Sequence, residues 1–156
     1  LKQAATSVLY GAGPELAARL LSCSLRQAAE KCRLIDEFFG AGALRQRLVE
    51  EHRAHGFVRN LYGRRVHPDN DSPGLLLNNF AQSSAVTAAL HGFRLGTLAS
   101  GSGTVSQFVL HDACFLDVPH GGSTDAFVAG AERVPGLDCR MPLSAEWIDP
   151  NGGTDG

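Results

Sequence analysis

Two apolar runs around a polar dipeptide constrain the fold of this chain more than any other feature. Residues 105–110 and 113–118 contain Val, Phe and Leu side chains, and only His111 and Asp112 separate them. This pattern predicts an antiparallel hairpin. Because His-Asp is not a favoured turn dipeptide, its position at the hairpin tip indicates a functional role rather than a turn preference.

The rest of the chain has mainly helical periodicity. The spacing of apolar residues and the Gly, Pro and Ser signals around them predict six helices, at about 2–9, 15–21, 25–39, 42–55, 75–98 and 123–131. Ser24 and Gln27 have the spacing of a capping box at the start of the third helix. The fourth helix has a thin apolar side, Leu44, Leu48 and Val49, which suits an exposed helix.

Composition limits the fold class. Residues 57–66 predict a short hairpin or a bent strand, and residues 137–141 have the composition of a closing strand. The chain has 156 residues, 44% apolar and 19% charged, which suits one domain or part of a larger protein. Its 18 glycines and seven prolines exclude a pure helical bundle. We therefore predict an α+β fold, with a frayed glycine-rich tail at 151–156.

Missing motifs exclude several function classes. No apolar stretch approaches the roughly 18 residues that a membrane-spanning helix needs, and a secretory signal layout is missing at residue 1, so we expect a cytoplasmic protein. The four cysteines are widely spaced without a CxxC pair, which predicts neither a zinc site nor disulfide bonds. The sequence also has no P-loop and no serine nucleophile elbow.

The formal net charge of −2 conceals an asymmetry along the chain. Residues 1–67 have eleven Lys plus Arg against six Asp plus Glu, whereas residues 68–156 have three against ten. A basic half beside an acidic half is compatible with a phosphate-binding surface next to a carboxylate site for divalent cations. Two differently charged solvent-exposed surfaces would produce the same asymmetry.

Two groups of side chains could carry chemistry. Lys2, Thr6 and Tyr10 are each four residues apart, so a helix places them on one face, with Lys2 about 12 Å from Tyr10. This spacing could place an ammonium on a phosphate and a ring beside the base or sugar of the same nucleotide. At the hairpin tip, Asp112 beside His111 offers an oxygen ligand for Mg²⁺, although one carboxylate alone does not make a site.

Taken in order, four motifs resemble the C-terminal part of the family A (DNA polymerase I-like) DNA polymerases. They are Lys2-x7-Tyr10-Gly11, Gly56-Phe57-Val58 with Leu61-Tyr62-Gly63-Arg64-Arg65, Asn78-x3-Gln82, and Leu110-His111-Asp112. The stretch 9–13 is similar to bacteriophage-type members, and residues 135–147 are similar to the last strand and terminal segment of the family. The resemblance covers nearly the whole chain.

The resemblance implies a division into residues 1–67, a helical fingers portion, and residues 68–150, a palm portion with a long helix and a small antiparallel sheet. On the fingers helix, Lys2 would bind the triphosphate, Thr6 would lie on the nucleotide-binding face, and Tyr10 would lie near the nascent base pair. Gly11 would give the backbone room at that helix end.

Other residues would contact nucleic acid. Asn78 and Gln82 would meet primer and template in the minor groove, where amide donors can test the shape of a base pair without reading its sequence. Arg64 and Arg65 would meet phosphates. The implied partners are primer-template DNA, deoxynucleoside triphosphates and the remainder of the polymerase chain, in a bacterial or phage-infected host cytoplasm and without a membrane.

The implied reaction is the addition of deoxynucleotides to a primer 3′-hydroxyl with two Mg²⁺ ions. Asp112 would be one of two carboxylate ligands of these ions, and His111 would lie near the primer terminus. In the family the second aspartate lies on an earlier palm strand, before the position that corresponds to Lys2. We therefore expect this chain to be a fragment of a larger polymerase and to be inactive by itself.

Two positions depart from the family pattern. The DNA enzymes carry Phe or Tyr where this chain has Thr6, and usually Glu where it has Ala113. These departures leave two alternatives open, a fragment of a single-subunit phage-type RNA polymerase and a non-catalytic nucleic-acid-binding remnant. Gln82 and the turn at 63–65 favour the DNA enzymes.

Overall fold

The structure, a computed structural model, describes residues 2–101, 103–110, 113–120, 122–138 and 140–148. Its elements in chain order are α1 Lys2–Leu9, α2 Pro14–Leu21, α3 Leu25–Phe39, α4 Ala41–His55, β1 Val58–Arg59, β2 Arg65–Val66, α5 Pro73–Ala99, β3 Val105–Leu110, β4 Ala113–Asp117 and α6 Asp125–Ala131. The strands form two antiparallel sheets, β1 with β2 and β3 with β4. This mixture confirms the predicted α+β class and the six predicted helices.

The chain divides into two compact units, and the boundary between Ser84 and Ala85 falls within α5. The division into residues 1–67 and 68–150 that the resemblance implies stays a prediction. Among the helices of the described residues, none has both the length and the apolar character required to cross a bilayer.

Local signals set the ends of the first helices. The Ser24 hydroxyl accepts a hydrogen bond from the Gln27 N–H over 3.3 Å, and the Gln27 side chain accepts one from the Ser24 N–H over 3.1 Å. The predicted capping box is therefore confirmed. Pro14 begins α2, where the missing N–H of proline has no intrahelical partner to lose.

The first unit contains two apolar clusters. One includes the fully buried Leu48, Val58 and Leu76 from α4, β1 and α5. The other joins α1, α2 and α3 through Val8, Ala17 and Ala28. The burial of Leu48 corrects the expectation that α4 is an exposed helix. Leu48 anchors one side of the helix in this cluster, and the side chains of Arg45 and Glu51 are half-buried as well.

In the second unit, β3 and β4 pair in a register that sets Leu110 opposite Ala113. The strands of the predicted hairpin are therefore confirmed, and its tip, His111 and Asp112, lies outside the described residues. All six residues of β3 are exposed in this chain.

The second half of α5 packs closely on α6. The rings of Phe93 and Phe127 lie 6.3 Å apart between centroids and are buried together with Ala131. A Cβ atom at Gly96 would lie 2.6 Å from the carbonyl oxygen of Phe127, and one at Gly92 would lie 2.6 Å from that of Ala131. The close approach of the two helices therefore depends on residues without a side chain.

The predicted closing strand at 137–141 is wrong for the part of it that the structure describes, which forms no strand. The N–H of Leu137 donates to the Val134 carbonyl over 3.3 Å, and the N–H of Met141 donates to the Glu132 carbonyl over 3.1 Å. These backbone groups bond to the segment that follows α6, whereas a strand requires a neighbouring strand as its partner.

Gly96→Ala is expected to lower the free energy of unfolding by about 1 to 3 kcal/mol, the usual cost of forcing extra atoms into a packed interface. Leu98→Ala on the same helix is the control, because Leu98 is 68% exposed and its truncation should cost little. Urea titration followed by circular dichroism measures both. Equal stability of the two variants would contradict the close packing of α5 on α6.

Candidate nucleic-acid interface

The end of α1 brings Thr6 and Tyr10 one helical turn apart. The N–H of Tyr10 donates to the Thr6 carbonyl over 3.1 Å, so helical hydrogen bonding continues for one residue beyond Leu9. Both residues are exposed, Tyr10 by 39%. Lys2 begins the same helix, and its side chain lies outside the described part of the chain. The spacing thus places Thr6 beside Tyr10 as expected, and their binding of a nucleotide stays a prediction.

The backbone that follows α1 passes directly against the start of α5. Gly11 has a φ of +93°, and a Cβ atom at Gly74 would lie 2.3 Å from the carbonyl oxygen of Tyr10. Arg45 of α4 holds the same region, since its Nη1 donates to the Leu9 carbonyl over 3.1 Å. A cation is favoured there because the carbonyl groups at a helix C-terminus carry partial negative charge. Tyr10 is therefore attached to a backbone that α4 and α5 both restrain.

An open cavity of about 560 Å³ adjoins this helix end. Its lining includes Tyr10, Arg45 and Asp36, and the Asp36 carboxylate pairs with the Arg45 guanidinium. Burial raises the pKa of the Cys32 thiol in the same lining, so this thiol stays protonated and weakly nucleophilic at neutral pH. The cavity volume lies in the range of small-molecule sites, and its walls combine an aromatic ring with a cation.

α5 brings Asn78 and Gln82 together, as their spacing of four residues predicts. Nε2 of Gln82 donates to Oδ1 of Asn78 over 3.0 Å. Gln82 is exposed and Asn78 is half-buried. The two amides form a polar pair on one helix face and offer the kind of donors that acceptors in a minor groove require. Their contact with primer or template stays a prediction.

Asn60, which the sequence analysis missed, organises the turn between β1 and β2. Its side chain is buried, and the residue is only 5% exposed. Oδ1 accepts hydrogen bonds from the N–H groups of Tyr62 and Arg64, both over 3.0 Å. Nδ2 donates to the carbonyl oxygen of Ser83 in α5 over 3.0 Å. Asn followed by Gly three residues later is a recognisable turn signal, but it contains no information about burial.

This turn presents Arg64 and Arg65 to solvent. Arg65 begins β2 directly opposite Arg59 of β1. The guanidinium carbon of Arg65 lies 4.8 Å from the centroid of the Phe57 ring. The short hairpin is therefore a cationic surface, and the predicted contact of its arginines with phosphates stays a prediction.

The predicted metal site, His111 and Asp112, lies outside the described residues. Across the ranges that the structure does describe, no group of three or more His, Cys, Asp or Glu side chains could hold a metal ion. Mg²⁺ typically takes one or two protein carboxylates and completes its shell with water and phosphate oxygens. A carboxylate such as that of Asp112 fits this chemistry, and magnesium binding stays a prediction.

The fold is similar to that of part of a DNA polymerase domain. One solved structure with this similarity is the POL domain of Pol1 from M. smegmatis in complex with DNA primer-template and dNTP. The two are similar with a TM-score of 0.65 over 88% of this chain, at 19% sequence identity. The chain spans only 27% of the length of that protein. No family model and no curated protein sequence matches the chain.

Asn60→Ala is expected to lower the free energy of unfolding by about 2 kcal/mol or more, because it removes three half-buried hydrogen bonds, to the N–H groups of Tyr62 and Arg64 and to the Ser83 carbonyl. Asn70→Ala is the matched control, since Asn70 is exposed and its Oδ1 accepts one hydrogen bond from the Ser72 N–H. Its loss should cost about 1 kcal/mol or less. Urea titration of both variants provides the comparison. A smaller loss for Asn60→Ala than for Asn70→Ala would show that the buried amide does not hold the turn.

Proposed function

We propose that this chain is part of a template-directed family A DNA polymerase, which adds deoxynucleotides to a primer 3′-hydroxyl. The fold supports this most: 88% of the chain matches, with a TM-score of 0.65, part of a polymerase domain in complex with DNA primer-template and dNTP. The order of the four sequence motifs, from Lys2-x7-Tyr10-Gly11 to Leu110-His111-Asp112, agrees with the same assignment.

In this proposal α1 binds the incoming nucleotide. The ammonium of Lys2 neutralises part of the triphosphate charge, and Tyr10 packs beside the nascent base pair, with Thr6 on the same face. The restrained backbone at Gly11 supports this role, because Arg45 and the start of α5 hold the end of α1 in place. A pre-positioned group lowers the entropy cost of aligning the reactants.

The amide pair and the cationic hairpin hold the nucleic acid. Asn78 and Gln82 donate to the purine N3 and pyrimidine O2 acceptors that all base pairs offer in the minor groove. Their mutual hydrogen bond supports a joint role, because it holds the two amides beside each other. Arg64 and Arg65 bind phosphates independently of sequence, as a copying enzyme requires.

The proposed reaction forms a bond between the primer 3′-oxygen and the α-phosphorus of the nucleotide. The bond from the α-phosphorus to its bridging oxygen breaks, pyrophosphate leaves, and the 3′-hydroxyl gives its proton to solvent water. Asp112 would hold Mg²⁺ together with a second carboxylate from elsewhere in the polymerase, and His111 would lie near the primer terminus. The bound ions supply stabilisation of the charge on the entering and leaving oxygens.

The remainder of the polymerase chain is a partner that this proposal requires. The chain spans 27% of the length of the similar polymerase domain. Val105, Phe108 and Leu110 of β3 are between 51% and 55% exposed, and an apolar surface of this kind marks an interaction site.

A bacteriophage-type enzyme that acts in the bacterial cytoplasm is the finer form of the proposal, and the similarity of residues 9–13 to bacteriophage-type members supports it.

Asp112→Ala in the polymerase that contains this chain is expected to reduce the rate of primer extension by at least about a hundredfold. Mutation of residues that merely hydrogen-bond to metal ligands already reduces metal affinity or activity about 10- to 100-fold, and Asp112 would be a ligand itself. Binding of the primer-template should change little, because it depends mainly on phosphate contacts. Asp117→Ala is the matched control, because Asp117 is an exposed carboxylate at the end of β4. Equal extension by Asp112→Ala and the parent would reject the catalytic role and favour a non-catalytic nucleic-acid-binding remnant.

Thr6 and Ala113 favour a second candidate, a fragment of a single-subunit phage-type RNA polymerase, because both replace residues typical of the DNA enzymes. The two candidates differ in the sugar of their substrate. We expect a higher kcat/KM for deoxynucleotides than for ribonucleotides in single-nucleotide incorporation by the polymerase that contains this chain. A strong preference for ribonucleotides would select the RNA polymerase instead.

A further inference from the structure

The backbone cap at the end of α1 accounts for only some of the last carbonyl groups of this helix. The N–H of Gly11 donates to the Val8 carbonyl over 2.9 Å, and the N–H of Ala12 donates to the Ser7 carbonyl over 2.9 Å. Together with the φ of +93° at Gly11, these bonds form a Schellman motif. The carbonyls of the next two residues along the chain remain for other elements to hold.

Arg45 of α4 binds the first of these two carbonyls. Its Nη1 donates to the Leu9 carbonyl over 3.1 Å, and its Nη2 pairs with the Asp36 carboxylate of α3. The Arg45 side chain is only 18% exposed. α1 has no basic residue in its own last turn, where a cation is favoured. A guanidinium 36 residues further along the chain therefore provides the charge that α1 lacks.

The second carbonyl, that of Tyr10, lies against the first turn of α5. A Cβ atom at Gly74 would lie 2.3 Å from this oxygen and 3.1 Å from its carbon. A backbone group cannot rotate away as the end of a long side chain can, so a larger residue at position 74 must displace the Tyr10 backbone or α5. We call the group formed by Arg45, Asp36 and Gly74 the α1 clamp.

The clamp lies in the wall of the open cavity beside α1. Tyr10, Arg45 and Gly74 are all part of the lining of this cavity. Tyr10 is 39% exposed, so packing against the core does not by itself fix its position. The clamp fixes the backbone of Tyr10 instead, from two sides and at two consecutive carbonyls.

We propose that Arg45 and Gly74 are positioning residues for the incoming nucleotide, an inference that rests on the proposed function. They hold the Tyr10 backbone in place, so the ring is already oriented when the nucleotide arrives. A group that is ordered beforehand loses less conformational entropy on binding. Neither residue contacts the nucleotide, so the clamp determines how tightly the nucleotide binds and leaves the chemical step to other groups.

The test measures incorporation of one correct dNTP by the polymerase that contains this chain, in single turnovers at increasing dNTP concentration. This design separates the half-saturating concentration from the maximal rate. Arg45→Met retains a long side chain without charge or donors. We expect a half-saturating concentration about tenfold higher, the lower end of what one lost hydrogen bond to a charged group costs. The maximal rate should change by less than about threefold, because the lost interaction is present before the chemical step.

Two further variants of charged residues control this result. Arg33→Gln is the matched control, because Arg33 lines the same cavity and its ion pair with Glu37 is exposed. It should leave both quantities near the parental values. Arg45→Lys retains the charge and a donor and should restore part of the affinity for dNTP. Primer-template binding without dNTP, measured by anisotropy, should be equal in all variants, which separates a local effect from a general loss of structure.

Gly74→Ala changes the same backbone without removing a charge. Alanine favours a helix more than glycine does, so the change would stabilise α5 if nothing lay against position 74. Because the Tyr10 carbonyl lies there, we expect the same rise in half-saturating dNTP concentration as for Arg45→Met. Gly13→Ala is the control, because a Cβ atom there would meet only the movable carboxylate of Glu15. Urea titration checks folding, and Gly74→Ala decides the question alone if Arg45→Met does not fold.

Each contrary outcome has a separate meaning. If the polymerase incorporates nucleotides and either folded variant of the clamp has the half-saturating concentration of its control, the inference is overturned while the proposed function stands. If only the maximal rate falls, the clamp does not act on nucleotide binding, and the inference fails as well. If the polymerase incorporates no nucleotide at all, both the inference and the proposed function are overturned.

Discussion

The buried amide of Asn60 links the turn between β1 and β2 to α5, and the position of this turn depends on the link. A tight turn cannot pair all of its own backbone groups, and buried groups without partners cost free energy. Asn60 supplies an acceptor to two N–H groups of the turn and a donor to the Ser83 carbonyl. The turn that presents Arg64 and Arg65 is thereby attached to the helix that carries Asn78 and Gln82.

The placement of charge in this unit is also informative. Arg33 and Glu37 form an exposed pair one helical turn apart on α3, an arrangement that contributes little to stability and needs no functional explanation. Arg59 and Arg65 are instead held against one ring and against each other. The contacts of both guanidinium groups with the Phe57 ring offset part of their mutual repulsion.

Much of the secondary structure could be predicted from the sequence, whereas burial could not. The capping box of Ser24 and Gln27 is a contact within four residues, so its signal is complete in the sequence. Leu48 occupies a helix with a thin apolar side, and its full burial depends on β1 and α5, which lie further along the chain. The failed closing strand at 137–141 has the same origin, because composition can favour a strand but only a neighbouring strand can complete it.

The sequence by itself determined the order of helices and hairpins and the set of polar residues that could carry chemistry. These properties follow from interactions between residues close together in the chain, such as helical periodicity, caps and turns. Only the tertiary structure decided that Asn60 bonds to Ser83 and that two arginines share the ring of Phe57. The physical reason is that burial and charge clustering depend on which distant segments meet, and the local sequence does not contain that information.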